Sequence, residues 1–152
     1  MVDIQFAPAL AQPDVTQRFD AIPESVTATR RWVREELERH GVAHRRRIVE
    51  LLATELASNV VIHVGAPFEV GVTFDGSVIR VAVRDPSPEM PRETNADSDA
   101  TAGRGFTLVR RLSRRCGVDA SDRGKVVWFE VDAFRQFAQP HFQPSRNADS
   151  AS

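Results

Sequence analysis

At 152 residues, with 41% hydrophobic and 27% charged side chains, the chain has the make-up of one globular domain that buries its own core without disulfides or structural metal. Its 20 basic residues against 21 acidic ones leave a formal net charge of -1, which excludes a global electrostatic pull toward nucleic acid or an anionic membrane. The single cysteine, Cys116, excludes an internal disulfide and a thiolate zinc cluster; with no apolar run of membrane-spanning length and no basic leader in residues 1–12, the cytoplasm is the expected location.

Residues 1–15 hold Pro8 and Pro13 among small side chains and read as a loose lead-in with a short edge strand near 4–6. Residues 16–20 read as a first strand. From Pro23 the period changes: Val26, Thr29, Trp32 or Val33, and Leu37 recur at helical spacing, so the pattern predicts a helix over 23–40 with Gly41 at its exit. A second helix is predicted over 43–64 and stopped by Gly65-Ala66-Pro67. It carries Glu55, Asn59 and His63 at four-residue steps beside the apolar arc of Leu52, Leu56 and Val60. Such spacing lines three polar heads along one helix edge, where the core meets a cavity or solvent.

Segments 68–74 and 78–84 alternate in hydrophobicity around Asp75-Gly76-Ser77, which predicts a hairpin. Residues 86–102 hold three prolines and almost nothing apolar; a loop of that length inside a compact domain reads as a lid or binding loop. Gly103-Arg104-Gly105 then opens a third helix marked by Phe106, Val109, Leu112 and Cys116 and ending at Gly117. A last hairpin is expected from 118–121 and 126–131, joined by Asp122-Arg123-Gly124. Residues 138–152 turn to Gln, Pro, Ser, Asn and Asp and read as a disordered tail, leaving 16–137 as the globular part. The order of elements predicts an α+β fold: a two-layer sandwich in which a mixed, mostly antiparallel sheet is covered on one face by three helices.

Several side chains in this frame have chemistry to offer. Glu55 can accept a proton as a general base, and the Asn59 carboxamide is a neutral hard oxygen donor suited to magnesium. Asp85, at the end of a hydrophobic strand, can accept a hydrogen bond from an exocyclic amine such as that of adenine, or it can simply start an Asp-Pro turn. A Gly-x-Gly at a helix mouth lets backbone approach a phosphate, which the free amides and helix dipole favour; flexible loop exits use glycine too. Arg104 lies between those glycines and so beside any phosphate bound there. The arginine runs 45–47 and 110–115 read as solvated helix faces.

The ordered set is more specific than any member. Thr54-Glu55-Leu56-Ala57-Ser58-Asn59-Val60-Val61-Ile62-His63 is similar to the asparagine box of the ATPase domain shared by gyrase, heat-shock chaperones, histidine kinases and mismatch-repair proteins. Val83-Arg84-Asp85-Pro86-Ser87-Pro88 resembles its first glycine box, and Gly103-Arg104-Gly105-Phe106-Thr107-Leu108-Val109 its second. Within that superfamily the chain looks most like the small bacterial anti-sigma regulatory factors with serine/threonine protein kinase activity, over about residues 16–132. The resemblance implies a Bergerat-type ATP-binding fold with Asn59 on magnesium, Glu55 as the base, Asp85 on the adenine amine, and Gly103, Arg104, Gly105 and Phe106 at the phosphates. It also implies phosphoryl transfer from ATP to a serine of an anti-sigma-factor antagonist, sequestration of a sigma factor, and the homodimerisation known in the family. Ser87 and Glu89 replace glycines of the wider superfamily, and Val126 stands where many relatives have a threonine that serves the adenine site. These departures keep an alternative open: a non-catalytic partner-binding module of the same fold with weak or no ATP turnover.

Overall fold

The computed structural model describes residues 12–90 and 104–134. The lead-in strand near 4–6, most of the lid and the C-terminal tail expected from the sequence lie outside these residues. Five strands, β1 (Val15–Phe19), β2 (Phe68–Asp75), β3 (Val78–Asp85), β4 (Arg115–Ser121) and β5 (Gly124–Asp132), form one sheet in the order β1-β2-β3-β5-β4. Every neighbouring pair is antiparallel, so the sheet is wholly antiparallel rather than mixed. The helices are α1 (Glu24–Arg39), α2 (Arg46–Asn59) and α3 (Arg104–Leu112), with a short 3-10 turn, Ala43–Arg45, leading into α2. None of the described helices is long and apolar enough to cross a membrane.

Side chains alternate across a strand, and the sequence uses that alternation to build one core. Val70 and Val72 of β2, Ile79, Val81 and Val83 of β3, and Val127, Phe129 and Val131 of β5 join a single buried cluster with the helices. Its helical half comes from Val33 and Leu37 of α1, Val49, Leu52, Ala53, Leu56 and Ala57 of α2, and Phe106 and Val109 of α3. The spacing in α2 is that of an amphipathic helix, and the buried arc faces β3 and β5. Phe19 anchors β1 beneath α1, edge-on to Trp32 with ring centroids 6.2 Å apart and stacked on Phe68 at 5.6 Å. On the opposite sheet face Arg80 bonds Glu130 directly across the ladder and lies 5.1 Å over the Trp128 ring.

α1 and α2 are also tied by charge. Arg34 Nε donates to Glu50 Oε1 at 2.5 Å, with the arginine side chain 42% and the glutamate side chain 11% exposed. That inequality predicts an asymmetric response. Arg34→Ala strands a buried carboxylate and is expected to lower stability by about 1–3 kcal/mol. Glu50→Gln leaves an arginine that can hydrate and is expected to cost less. Urea denaturation of the two variants ranks them, and the reverse order would contradict this account.

Two boundaries differ from the sequence expectation. α3 ends at Leu112, not at Gly117, because the Arg114 amide donates to the Glu130 carbonyl at 2.7 Å and pulls the chain into the sheet. Cys116 therefore belongs to β4, where it and Val118 face the core opposite Phe129 and Val127, while Leu112 is exposed. The second difference lies after Asn59. Residues Val60–Val64 wind as a π-helix, closed by the Gly65 amide donating to the Val60 carbonyl at 2.9 Å with Gly65 in the left-handed region at φ 67°. The wider winding carries His63 out of the four-residue register, and its side chain is exposed.

Candidate functional site

Glu55 and Asn59 both lie within the regular part of α2, so they share one helix edge as their spacing predicts. Both are half-buried, bordering the fully buried arc of Leu52, Leu56 and Ala57. Among the described residues neither side chain has a hydrogen-bond or ion-pair partner. Burial pushes the Glu55 carboxyl above its ordinary value, and no cation among the described residues opposes the shift. A half-buried carboxylate without a described counter-charge takes up a proton more readily than one in open solvent. The carboxamide one turn away has a free oxygen of the kind magnesium accepts alongside waters and phosphate oxygens. This donor set fits magnesium brought with a nucleotide, since Asn59 by itself supplies one neutral ligand.

Asp85 is the last residue of β3. It shares the parity of Ile79, Val81 and Val83, so its carboxyl points to the face on which α2 packs, and it is 3% exposed. It is also the start of a turn: the Ser87 amide donates to Asp85 Oδ1 at 2.8 Å. Lys125, the cross-strand partner of Asp85 on β5, places Nζ 3.0 Å from the same oxygen and 3.4 Å from the Ser87 carbonyl. Both contacts fall on Oδ1, which leaves Oδ2 as an acceptor for a ligand amine. The core-face neighbour of Asp85 across the ladder is thus Lys125. Val126 pairs with Arg84 and takes the opposite parity, on the Trp128 face.

Gly124, just before Lys125, is the second residue whose part was not evident from sequence. With φ 122°, a Cβ there would stand 2.7 Å from Pro86 Cα and 2.8 Å from Pro86 C. The start of β5 is therefore pressed against the Asp85–Pro86 peptide, and only glycine lets it come so close. A hairpin glycine in sequence signals a turn, and nothing local shows that it also abuts a loop some 40 residues upstream.

Of the second glycine motif, Gly103 lies outside the described residues. Arg104 and Gly105 form the first turn of α3, whose leading amides have no carbonyl four residues back within the helix. Phe106 is 7% exposed and belongs to the core, with Arg110 Cζ 5.5 Å over its ring, so what it can offer an anion is its backbone amide. α3 packs on α2.

Three helices on one face of an antiparallel sheet, with polar side chains left unpaired by described neighbours on the middle helix, make up a two-layer α+β sandwich. A family model for the histidine kinase-like ATPase domain matches residues 19–131, and the chain belongs to that family. The fold is similar to that in the crystal structure of the RsbU and RsbW domains of Rv1364c from Mycobacterium tuberculosis, with a TM-score of 0.55 and 16% identity. That likeness covers 80% of this chain and 36% of the solved one, so it spans little more than a third of the solved chain's length. The histidine kinase domain of the blue-light activated kinase from Erythrobacter litoralis EL346 matches over 59% of this chain and 45% of its own, at 21% identity and a TM-score of 0.41. No curated protein matches the sequence.

Proposed function

We propose that the protein binds magnesium-ATP and phosphorylates a serine of an anti-sigma-factor antagonist, and that it holds a sigma factor in the alternate state of a partner switch. The observation that carries this reading is the pair on α2: Glu55 and Asn59, half-buried, one turn apart and without described protein partners, in a chain of the histidine kinase-like ATPase family. Bound ATP supplies an activated phosphoryl group. Asn59 would hold its magnesium, Oδ2 of Asp85 would accept the amine of its base, and the first amides of α3 would meet its phosphates. Glu55 would take the proton of the attacking serine hydroxyl, while the remaining work is positioning and charge stabilisation. The partner identities rest on the likeness of the three sequence motifs to those of the bacterial anti-sigma kinases.

Asn59→Ala is expected to abolish binding of magnesium-ATP at concentrations that saturate the wild type, because it removes the carboxamide oxygen proposed to hold the metal. Calorimetric titration with and without magnesium checks this. Wild-type protein that gives no heat with saturating nucleotide would remove the kinase reading. A second reading, a partner-binding module with little or no turnover, is favoured by one feature: Lys125 already engages Asp85. A pull-down from native cell extract with and without ATP separates the two, since a kinase releases or exchanges its partner with nucleotide and a passive module does not.

A further inference from the structure

We infer that Lys125 is a base-reading residue: its ammonium donates to the ring nitrogen beside the exocyclic amine of adenine, so that Asp85 and Lys125 together match the two adjacent groups on that edge of the base. The inference rests on the nucleotide reading above and adds to it a residue that the sequence motifs do not mark.

Position comes first. Lys125 and Asp85 are directly opposite in the β3–β5 ladder, and both have the parity of the core-facing residues. Lys125 Nζ and Asp85 Oδ1 are 3.0 Å apart, with side chains 6% and 2% exposed. An acceptor and a donor are thus fixed side by side at the end of the two central strands, on the face that α2 covers. The Watson–Crick edge of adenine offers the complementary pair, an amine donor next to a ring-nitrogen acceptor, and enzymes that enclose a base read it by that edge.

Hydrogen-bond capacity comes second. An ammonium has three N–H donors. Two are directed at Asp85 Oδ1 and the Ser87 carbonyl, the latter at a long 3.4 Å. The third has no acceptor among the described residues, in a side chain more than nine-tenths buried. A buried donor left over in this way is costly unless a ligand meets it. The carboxylate has matching spare capacity, because both of its described contacts use Oδ1 and leave Oδ2.

The stability of the pair does not account for its presence. Two buried opposite charges lose hydration that their attraction barely returns, and apolar residues of similar volume are often at least as stable. The turn at Ser87 is already braced by the Ser87 amide on the Asp85 carboxylate at 2.8 Å, and the lysine adds to it only a long 3.4 Å contact with the Ser87 carbonyl. What the lysine adds is a donor facing the base.

The test is a pair of calorimetric titrations of the full chain, with magnesium-ATP and with its 1-deaza analogue, in which the ring nitrogen is replaced by C–H. Wild type is expected to bind the analogue about tenfold or more weakly, the loss that attends an unmet charged donor. Lys125→Met is expected to bind ATP more weakly and to lose the distinction between the two nucleotides. Equal affinity of wild type for both, or undiminished discrimination in Lys125→Met, overturns the inference, and so does tighter ATP binding by Lys125→Met, which would make the lysine a competitor for Asp85. Failure of wild type to bind either nucleotide would instead overturn the nucleotide reading and this inference with it. Melting curves taken in parallel separate lost folding from lost recognition, and the wild-type comparison needs no variant at all.

Discussion

Glu55→Ala is expected to bind magnesium-ATP within about twofold of wild type and to transfer phosphate about 100- to 10,000-fold more slowly, the range that a positioned general base contributes. Binding should persist because the proposed nucleotide contacts come from Asn59, Asp85 and the start of α3. Quenched-flow assay of phosphoserine formation alongside calorimetry reads both quantities, and equal turnover in variant and wild type would take Glu55 out of the reaction. The same carboxyl predicts a pH signature. Burial raises its proton affinity in the folded chain, so the acidic limb of the wild-type rate profile should lie above the ordinary glutamate range. The sign for stability runs the other way. A folded-state pKa above the unfolded one gives a contribution that is present in acid and lost as pH rises through the folded value. Glu55→Gln, neutral at every pH, should therefore be more stable than wild type at neutral pH, with the gap closing as pH falls through the carboxyl range. Chemical denaturation at neutral and acidic pH checks this, and a less stable glutamine variant at neutral pH would mean that the carboxylate has a partner. Activity and stability are thus expected to diverge at this residue, as they do where function requires an unfavourable charge.

How far the sequence reveals this site depends on how local each cause is. The β2–β3 hairpin is legible because alternation and an Asp-Gly turn are both short-range signals. α2 is legible because its buried residues repeat at helical spacing, and that spacing also sets Glu55 and Asn59 on one edge. The α3–β4 boundary is not. Phe106, Val109, Leu112 and Cys116 fit a helical period by coincidence, while the deciding interaction is the Arg114 amide on the Glu130 carbonyl, a contact made only once β5 is in place. His63 fails for a related reason: four-residue spacing assumes α-helical winding, and the π turn after Asn59 changes the register without altering composition. Lys125 was hidden by register. It faces Asp85 across the ladder, whereas its neighbour Val126 does not, because in a strand a step of one residue exchanges the core face for the opposite one.

Gly124→Ala is expected to be among the most damaging conservative changes outside the core. An added Cβ meets strain twice. Backbone at φ 122° is nearly closed to non-glycine residues and costs about 1–3 kcal/mol. Overpacking against the Asp85–Pro86 backbone, with Pro86 Cα 2.7 Å from the new atom, adds about 1–3 kcal/mol because main chain cannot rotate aside as a flexible side chain can. Gly76→Ala in the β2–β3 turn is the matched control: its φ is also positive, at 45°, yet a Cβ there meets nothing within 4 Å. Gly76 lies near the left-handed helical region, which alanine enters at a cost of about 1–2 kcal/mol, so the harsher backbone at φ 122° and the collision both make Gly124→Ala the worse, by about a kilocalorie or more. Guanidinium denaturation midpoints decide between them, and equal losses would sink the collision account. The two should also differ in function. An alanine at 124 is expected to force apart the start of β5 and the Asp85–Pro86 peptide, which separates Lys125 from the Asp85 carboxylate. Folded Gly124→Ala is therefore expected to bind magnesium-ATP less tightly than Gly76→Ala does, because Gly124 abuts the Asp85–Pro86 peptide and precedes Lys125, whose ammonium lies 3.0 Å from the Asp85 carboxylate.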